Sequence, residues 1–202
     1  MNDVRFACRQ LLKNPGFTAV AMLTLALGIG ANTAIFSLIN IVLFRPLPAA
    51  QPQQIVSVGP MGKHGLGPAL SYPNYCDLRD RNEVFSGLFA TRYAPVSLSR
   101  GHRNERIWGL LVSGNYFDVL GVQAVLGRTI RPDEDRTRLR HPVVVLSHDC
   151  WQNRFGGDSA IIGKTVLLNG NSFTVIGVAP KAFRGIELVL APDVWVPIMM
   201  AP

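Results

Sequence analysis

Residues 15–44, PGFTAVAMLTLALGIGANTAIFSLINIVLF, carry no charged side chain and are flanked by Arg5, Arg9 and Lys13 before them and by Arg45 after them. An apolar helix of about 20 residues crosses the ~30 Å hydrocarbon core of a bilayer, so the stretch predicts a transmembrane helix over 15–45. A cleaved leader would have an apolar core of only about 7–15 residues and a small-x-small cleavage site. This core is longer, and the one candidate site, Pro48-Ala49-Ala50, lies past Arg45 with a proline where a small residue is needed. An uncleaved anchor is the expectation. Basic residues crowd its N-terminal side and are sparse beyond it, which predicts a cytoplasmic N-terminus and an extracytoplasmic remainder.

Residues 1–14 read as a cytoplasmic amphipathic helix. Asp3 can cap it, Val4, Ala7, Cys8 and Leu11 fall on one face, and Arg5, Arg9 and Lys13 recur at i, i+4 and i+8 on another. Such a helix lies at the lipid surface, each basic residue contributing about 1 kcal/mol against anionic headgroups. Asn14-Pro15-Gly16 then breaks it, because proline disfavours helical geometry in the residue before it and suits the first turn of the next helix.

Within the span, Gly30, Thr33, Ser37 and Asn40 recur at spacings of three, four and three and share one face. Small residues let helices approach, and hydroxyl and amide groups hydrogen-bond across the contact, so the stripe favours packing against a partner helix. A lone anchor tolerating mild polarity is the alternative. Gly28-Ile29-Gly30 is no dinucleotide loop, since Thr33 stands at the third glycine position and no strand precedes it.

After Arg45 charged residues recur throughout and no further run approaches spanning length, so the mean hydropathy of +0.22 owes most to one segment. The ~155 remaining residues can hide about 70% of their unfolded surface. Strands are expected at 54–58, 85–99, 106–113, 142–146, 166–168, 173–178 and 194–196. A Gly- and Pro-rich loop over 59–68 precedes a helix capped by Ser71; further helices follow at 116–120, closed by Gly121, and after Ser147, stopped by Gly156-Gly157. Asn169-Gly170 is a strong two-residue hairpin signal. Intermixed helices and strands make the class α+β, in two lobes.

The net charge of +7 is dispersed: Arg128, Arg131, Arg136, Arg138 and Arg140 are interrupted by Asp133, Glu134 and Asp135. No recognised basic motif is present, so a nucleic-acid partner is not expected. Cys8 falls on the reducing side, leaving Cys76 and Cys150 either as one bridge or as two separate thiols. His148-Asp149-Cys150 opens a helix, while His64, His102 and His141 are scattered, with no HExxH or paired CxxC spacing. Asp133-Glu134-Asp135 lacks the spaced ligands and central glycine of a calcium loop and reads as a solvated turn. No catalytic, cofactor or metal residue is nominated.

Asn14-Pro15-Gly16-Phe17-Thr18, leading into 25–37 (LALGIGANTAIFS), resembles the first transmembrane segment of MacB/FtsX-type ABC transporter permeases. The run 112–122 (VSGNYFDVLGV), then Leu126-Gly127-Arg128, Ile162-Gly163-Lys164-Thr165, Leu168-Asn169-Gly170 and 173–180 (FTVIGVAP), is similar to the MacB-like periplasmic core domain. Arg45-Pro46-Leu47-Pro48 and Ser71-Tyr72-Pro73-Asn74-Tyr75 resemble the duplicated permeases of acidobacteria. The resemblance implies a bacterial inner-membrane permease with a core domain over 46–202, this chain being an N-terminal fragment with one span. It also implies a separate cytoplasmic ABC ATPase subunit as partner, other permease helices or a second permease half, and no cofactor. ATP hydrolysis would then drive the extracytoplasmic domain for efflux or mechanotransmission. The chain itself lacks a GxxxxGK[ST] loop. A single-pass sensory or scaffolding domain is the alternative, and an anchored enzyme would need a pocket gathering His102, His141 or His148.

Overall fold

The computed structural model describes residues 13–43, 51–62, 65–66, 70–101, 103–186 and 190–201. The chain divides into two compact units, Met1–Pro46 and Leu47–Pro202.

In the first unit, helix α1 (Pro15–Leu43) is 29 residues long, about 43 Å at 1.5 Å per residue. Lys13 is helical, Asn14 is not, and Pro15 opens α1. The free Asn14 carbonyl accepts from the Thr18 N–H at 3.1 Å and from its hydroxyl at 3.0 Å. The portion Pro15–Ser37, of mean hydropathy 1.8, is long and apolar enough to cross a membrane. Of the amphipathic helix expected over 1–14, residues 1–12, with Arg5 and Arg9, lie outside the described residues.

In the second unit, the strand expected at 54–58 is absent. Pro52–Gln54 form a 3-10 turn, the Ile55 N–H turns back to the Pro52 carbonyl, and Val56 and Val58 stay exposed. Two-residue strands β1 (Met61–Gly62) and β2 (Gly65–Leu66) then pair antiparallel inside the expected loop. Helix α2 (Tyr72–Asp80) starts at Ser71, whose hydroxyl accepts the Asn74 N–H at 3.4 Å. The strand expected from 85 begins only at β3 (Thr91–Arg100). The Asn82 carboxamide oxygen accepts the N–H groups of Val84 (3.1 Å) and Phe85 (2.8 Å), a local turn that competes with any ladder there.

Strand β3 pairs along its whole length with β4 (Arg103–Val112). Helix α3 (Tyr116–Leu120) ends at Gly121, left-handed at φ 67. Strand β5 (Leu126–Gly127) and β6 (Val143–Leu146) follow, then helix α4 (His148–Phe155), capped by Ser147 and stopped by Gly156 at φ 67. The last strands are β7 (Thr165–Leu168), β8 (Asn171–Val178) and β9 (Val194–Pro197).

The order β5-β8-β6-β9-β4-β3-β7, with β7 also paired to β8, closes β8, β6, β9, β4, β3 and β7 into a ring. Alternation along each strand then sorts side chains by face. Val96, Leu98, Ile107, Leu111, Val144, Leu146, Val166, Leu168, Val175, Val194 and Val196, drawn from every ring strand, form one core together with Cys150 of α4. Their outward neighbours Leu110, Val112, Val145, Ile176 and Trp195 form a second core with Tyr116, Phe117 and Leu120 of α3 and with Phe183. The α+β class is as expected. The two lobes are not a division of the chain: they reduce to two cores on opposite faces of one sheet within a single compact unit.

The β7–β8 hairpin turns through Asn169 at φ 52 and Gly170 at φ 79, as a type I′ turn requires. A Cβ on Gly170 would meet nothing within 4 Å, so only backbone conformation resists substitution there. Gly170→Val is expected to cost about 1–2 kcal/mol, the penalty of a β-branched residue in the left-handed region, measurable by thermal unfolding of the chain in detergent.

Candidate functional site

On α1, Gly30, Thr33 and Ser37 are exposed, as are the surrounding apolar residues. A Cβ built on Gly28 or Gly30 meets nothing within 4 Å. The Thr33 hydroxyl donates to the Ile29 carbonyl at 2.7 Å and Thr24 does the same to Val20, so these hydroxyls are satisfied within the helix. Asn40 continues the same helix. The face is therefore formed but uncovered among the described residues. Lys13 is exposed just before α1, and Arg5 and Arg9 lie outside the described residues.

Asp133-Glu134-Asp135 is not the solvated turn expected from its composition. Glu134 and Asp135 are buried within a 3-10 turn, Pro132–Asp135, because both carboxylates have found donors. Glu134 receives both terminal nitrogens of Arg128, at 2.6 and 2.8 Å, and the Arg131 N–H at 2.9 Å. Burial alone would raise its pKa; the Arg128 and Arg131 hydrogen bonds outweigh it and hold the carboxyl below the usual range. A lowered folded-state pKa contributes stability above the unfolded value that is lost as pH falls through the folded one. The stability gap between the native chain and Glu134→Gln should therefore narrow as the pH falls below the ordinary glutamate value of 4.5, as read from Tm against pH.

Asp135 ties three segments together. Its Oδ2 accepts the Tyr72 hydroxyl at 2.8 Å and the Gly114 N–H at 3.1 Å, and its Oδ1 accepts the Met199 N–H at 3.1 Å. Burial raises its pKa, outweighing these three bonds. Beside it a cavity of about 300 Å³ is lined by Arg79, Asp80, Asn115, Asp135 and Arg136 among others. Most of its polar groups are committed to one another: Arg79 pairs with Asp80 at 2.8 Å, and the Asn115 amide donates to the Leu88 carbonyl while its oxygen accepts from Tyr75 and Ser113.

The histidine and cysteine candidates do not converge. His148 lines a small cavity of about 70 Å³ with Lys181 and Arg184, without His141, while His64 and His102 lie outside the described residues. Among the described residues no three His, Cys, Asp or Glu side chains are placed to hold a metal ion. Cys76 and Cys150 are both free thiols, which removes the bridge. Cys150 is fully buried in the ring, and burial pushes its thiol up to about 12.

Several of the residues that carry the family resemblance have structural roles in the domain. Gly127 and Gly177 stand opposite each other where β5 crosses β8, and the Arg128 N–H donates to the Ile176 carbonyl at 2.8 Å. A Cβ on Gly177 would lie 2.0 Å from the Arg128 carbonyl oxygen, one on Gly127 2.2 Å from that of Ile176, and one on Gly114 2.6 Å from that of Arg131. Ser113 and Asn115 hold the 88–90 segment, and Tyr116, Phe117 and Leu120 fill the second core.

A family model for the MacB-like periplasmic core domain matches residues 18–202. The periplasmic region of MacB from Actinobacillus actinomycetemcomitans is similar in fold, with 21% identity and a TM-score of 0.53 over 65% of this chain and 56% of that one. The extracellular domain of the noncanonic ABC-type transporter YknZ from Gram-positive bacteria aligns with 21% identity and a TM-score of 0.52, over 65% of this chain and 64% of that one. The chain thus spans less than two thirds of the length of either solved chain. No curated protein matches it. With the ring of strands, both cores and the glycine crossing all inside the matched residues, the chain belongs to the MacB-like periplasmic core domain family.

Proposed function

We propose that this chain serves as the anchored extracytoplasmic part of an ABC transporter permease. Residues 15–45 span the bilayer, the N-terminus is cytoplasmic with Arg5, Arg9 and Lys13 at the lipid surface, and residues 46–202 form the outer domain. A separate cytoplasmic ATPase hydrolyses ATP. The permease helices, including a second permease half, pass the movement to the domain for efflux or mechanotransmission. The chain needs no catalytic residue or cofactor of its own for this work, and no nucleic acid takes part.

The observation that supports this reading is the uncovered face of α1, where Gly30 leaves room for a neighbouring backbone. In lipid the hydrophobic effect gives helices no reason to associate, so close packing through small residues supplies the contact. Gly30→Leu in the assembled permease should weaken helix association by about 1 kcal/mol, roughly fivefold in assembly, and lower coupled ATP hydrolysis. Leu25→Ala should leave both unchanged. Equal tolerance at Gly30, Ser37 and Leu25 would favour a single-pass sensory or scaffolding anchor.

A further inference from the structure

We propose that Asn169 is a site of spontaneous covalent modification, in which it closes a succinimide with Gly170, opens to isoaspartate and releases the seam between β3 and β7. Of the chain's asparagines only Asn169 precedes a glycine. A side chain on the following residue crowds the approach of its amide nitrogen to the carboxamide carbon, and glycine has none. The turn also prepares both reacting groups. Leu168 and Asn171 close the two-residue hairpin, so the Gly170 N–H lies outside the ladder, and among the described residues no hydrogen bond takes it. The Asn169 Oδ1 accepts the Ser97 N–H at 2.8 Å. That donor draws electrons from Cγ and stands where negative charge develops on the oxygen when Cγ is attacked.

From its left-handed backbone at φ 52, Asn169 reaches the reactive geometry by rotation of the Asn169–Gly170 peptide, a motion that glycine permits. The Gly170 nitrogen, having lost its proton to solvent base, bonds to Cγ; the Cγ–Nδ2 bond breaks and ammonia leaves, carrying a proton gained from solvent in exchange. Water then opens the five-membered imide, and opening at the Asn169 main-chain carbonyl yields isoaspartate. One water is consumed and one ammonia released, with no oxidant or reductant. The consequence lies in what Asn169 holds. β7 meets β3 at Leu98 and Ser99, and Asn169 extends that seam by two bonds to Ser97, one through Oδ1 and one from its own N–H to the Ser97 carbonyl at 2.9 Å. The carboxamide oxygen stands in for the strand carbonyl that the turn carries away. Isoaspartate inserts a methylene into the main chain of a two-residue turn and removes that carboxamide, so the tip no longer fits Ser97. The reaction is internal to the hairpin and is independent of what packs against the domain and of any coupling to an ATPase.

The full chain is aged in detergent in mildly alkaline buffer, and isoaspartate is read by electron-transfer fragmentation of peptides spanning β7 and β8. Asn169 should convert about tenfold or more faster than Asn171, which precedes a serine, a barrier difference of about 1.4 kcal/mol. Gly170→Ala, whose methyl crowds the nitrogen, should slow the conversion by about the same factor. The converted chains are separated by ion exchange on their added negative charge. Their hydrogen-exchange protection should fall about tenfold or more at residues 97–99 and 167–169 and hold in β6, which marks loss of the seam rather than of the fold. Conversion no faster at Asn169 than at Asn171, or a Gly170→Ala chain that converts at the native rate, overturns the site. Unchanged protection at 97–99 in the converted chains overturns the release of the seam.

Discussion

Gly177→Ala should destabilise the domain by about 3–5 kcal/mol, a large share of the 5–15 kcal/mol that holds a typical domain folded. The added methyl would sit 2.0 Å from the Arg128 carbonyl oxygen and 2.9 Å from its carbon, and those atoms are backbone. No rotamer change relieves the clash. Either β5 leaves β8, losing the Arg128–Ile176 bond of 2.8 Å and the Val125–Val178 bond of 2.9 Å, or the strand bends beside the irregularity where β6 and β8 shift register. Gly170→Ala is the control, since that site has a left-handed φ but open space, and it should cost only about 1 kcal/mol. Chemical denaturation of the chain in detergent compares the two; similar midpoints would show that the crossing yields easily.

Asp135→Ala should cost about 3–5 kcal/mol at neutral pH. Removing the carboxylate strands the buried Gly114 N–H, and the Met199 N–H and Tyr72 hydroxyl beside it, each orphaned donor costing about 1–3 kcal/mol to the extent that water cannot reach it. Tyr72→Phe, which removes one donor and leaves the other two satisfied, should lose about 1 kcal/mol. Asp135→Asn keeps the shape but turns an amide toward donors, so it recovers part of the loss at most. It also removes a pH term: because the folded state raises the Asp135 pKa, that group's contribution is full below its unfolded value and declines as pH rises through the folded one. If Asp135→Ala unfolded at the native midpoint, the three segments would be held by packing alone.

The elements set by local chemistry were legible in the sequence. Ser71 and Ser147 as caps, Gly121 and Gly156 as stops, and Asn169-Gly170 as a turn each act through atoms a few residues away, and each stands where the sequence reading put it. Much of what failed depended on partners far along the chain, although the late start of β3 follows from the local turn at Asn82. Residues 54–58 have strand composition but no neighbouring strand. Asp135 looks like a surface carboxylate until Tyr72 and Met199 are brought to it, whereas Glu134 is covered by Arg128, six residues earlier. Ring closure was likewise invisible, because it rests on β7 meeting β3 over only Leu98 and Ser99. The glycines of the family motifs were legible as a pattern, yet their cause is the meeting of backbones some fifty residues apart in the sequence, Gly127 with Gly177.

Each strand of the closed ring is flanked on two sides, so a load applied to one is carried as shear by its neighbours. β9 is gripped in parallel by β4 and antiparallel by β6, and β8 has β6 along one edge with β7 and β5 end to end along the other. Peeling, which breaks hydrogen bonds one at a time, requires an open margin. Here a pull along β8 or β9 must rupture ladders on both of its edges together.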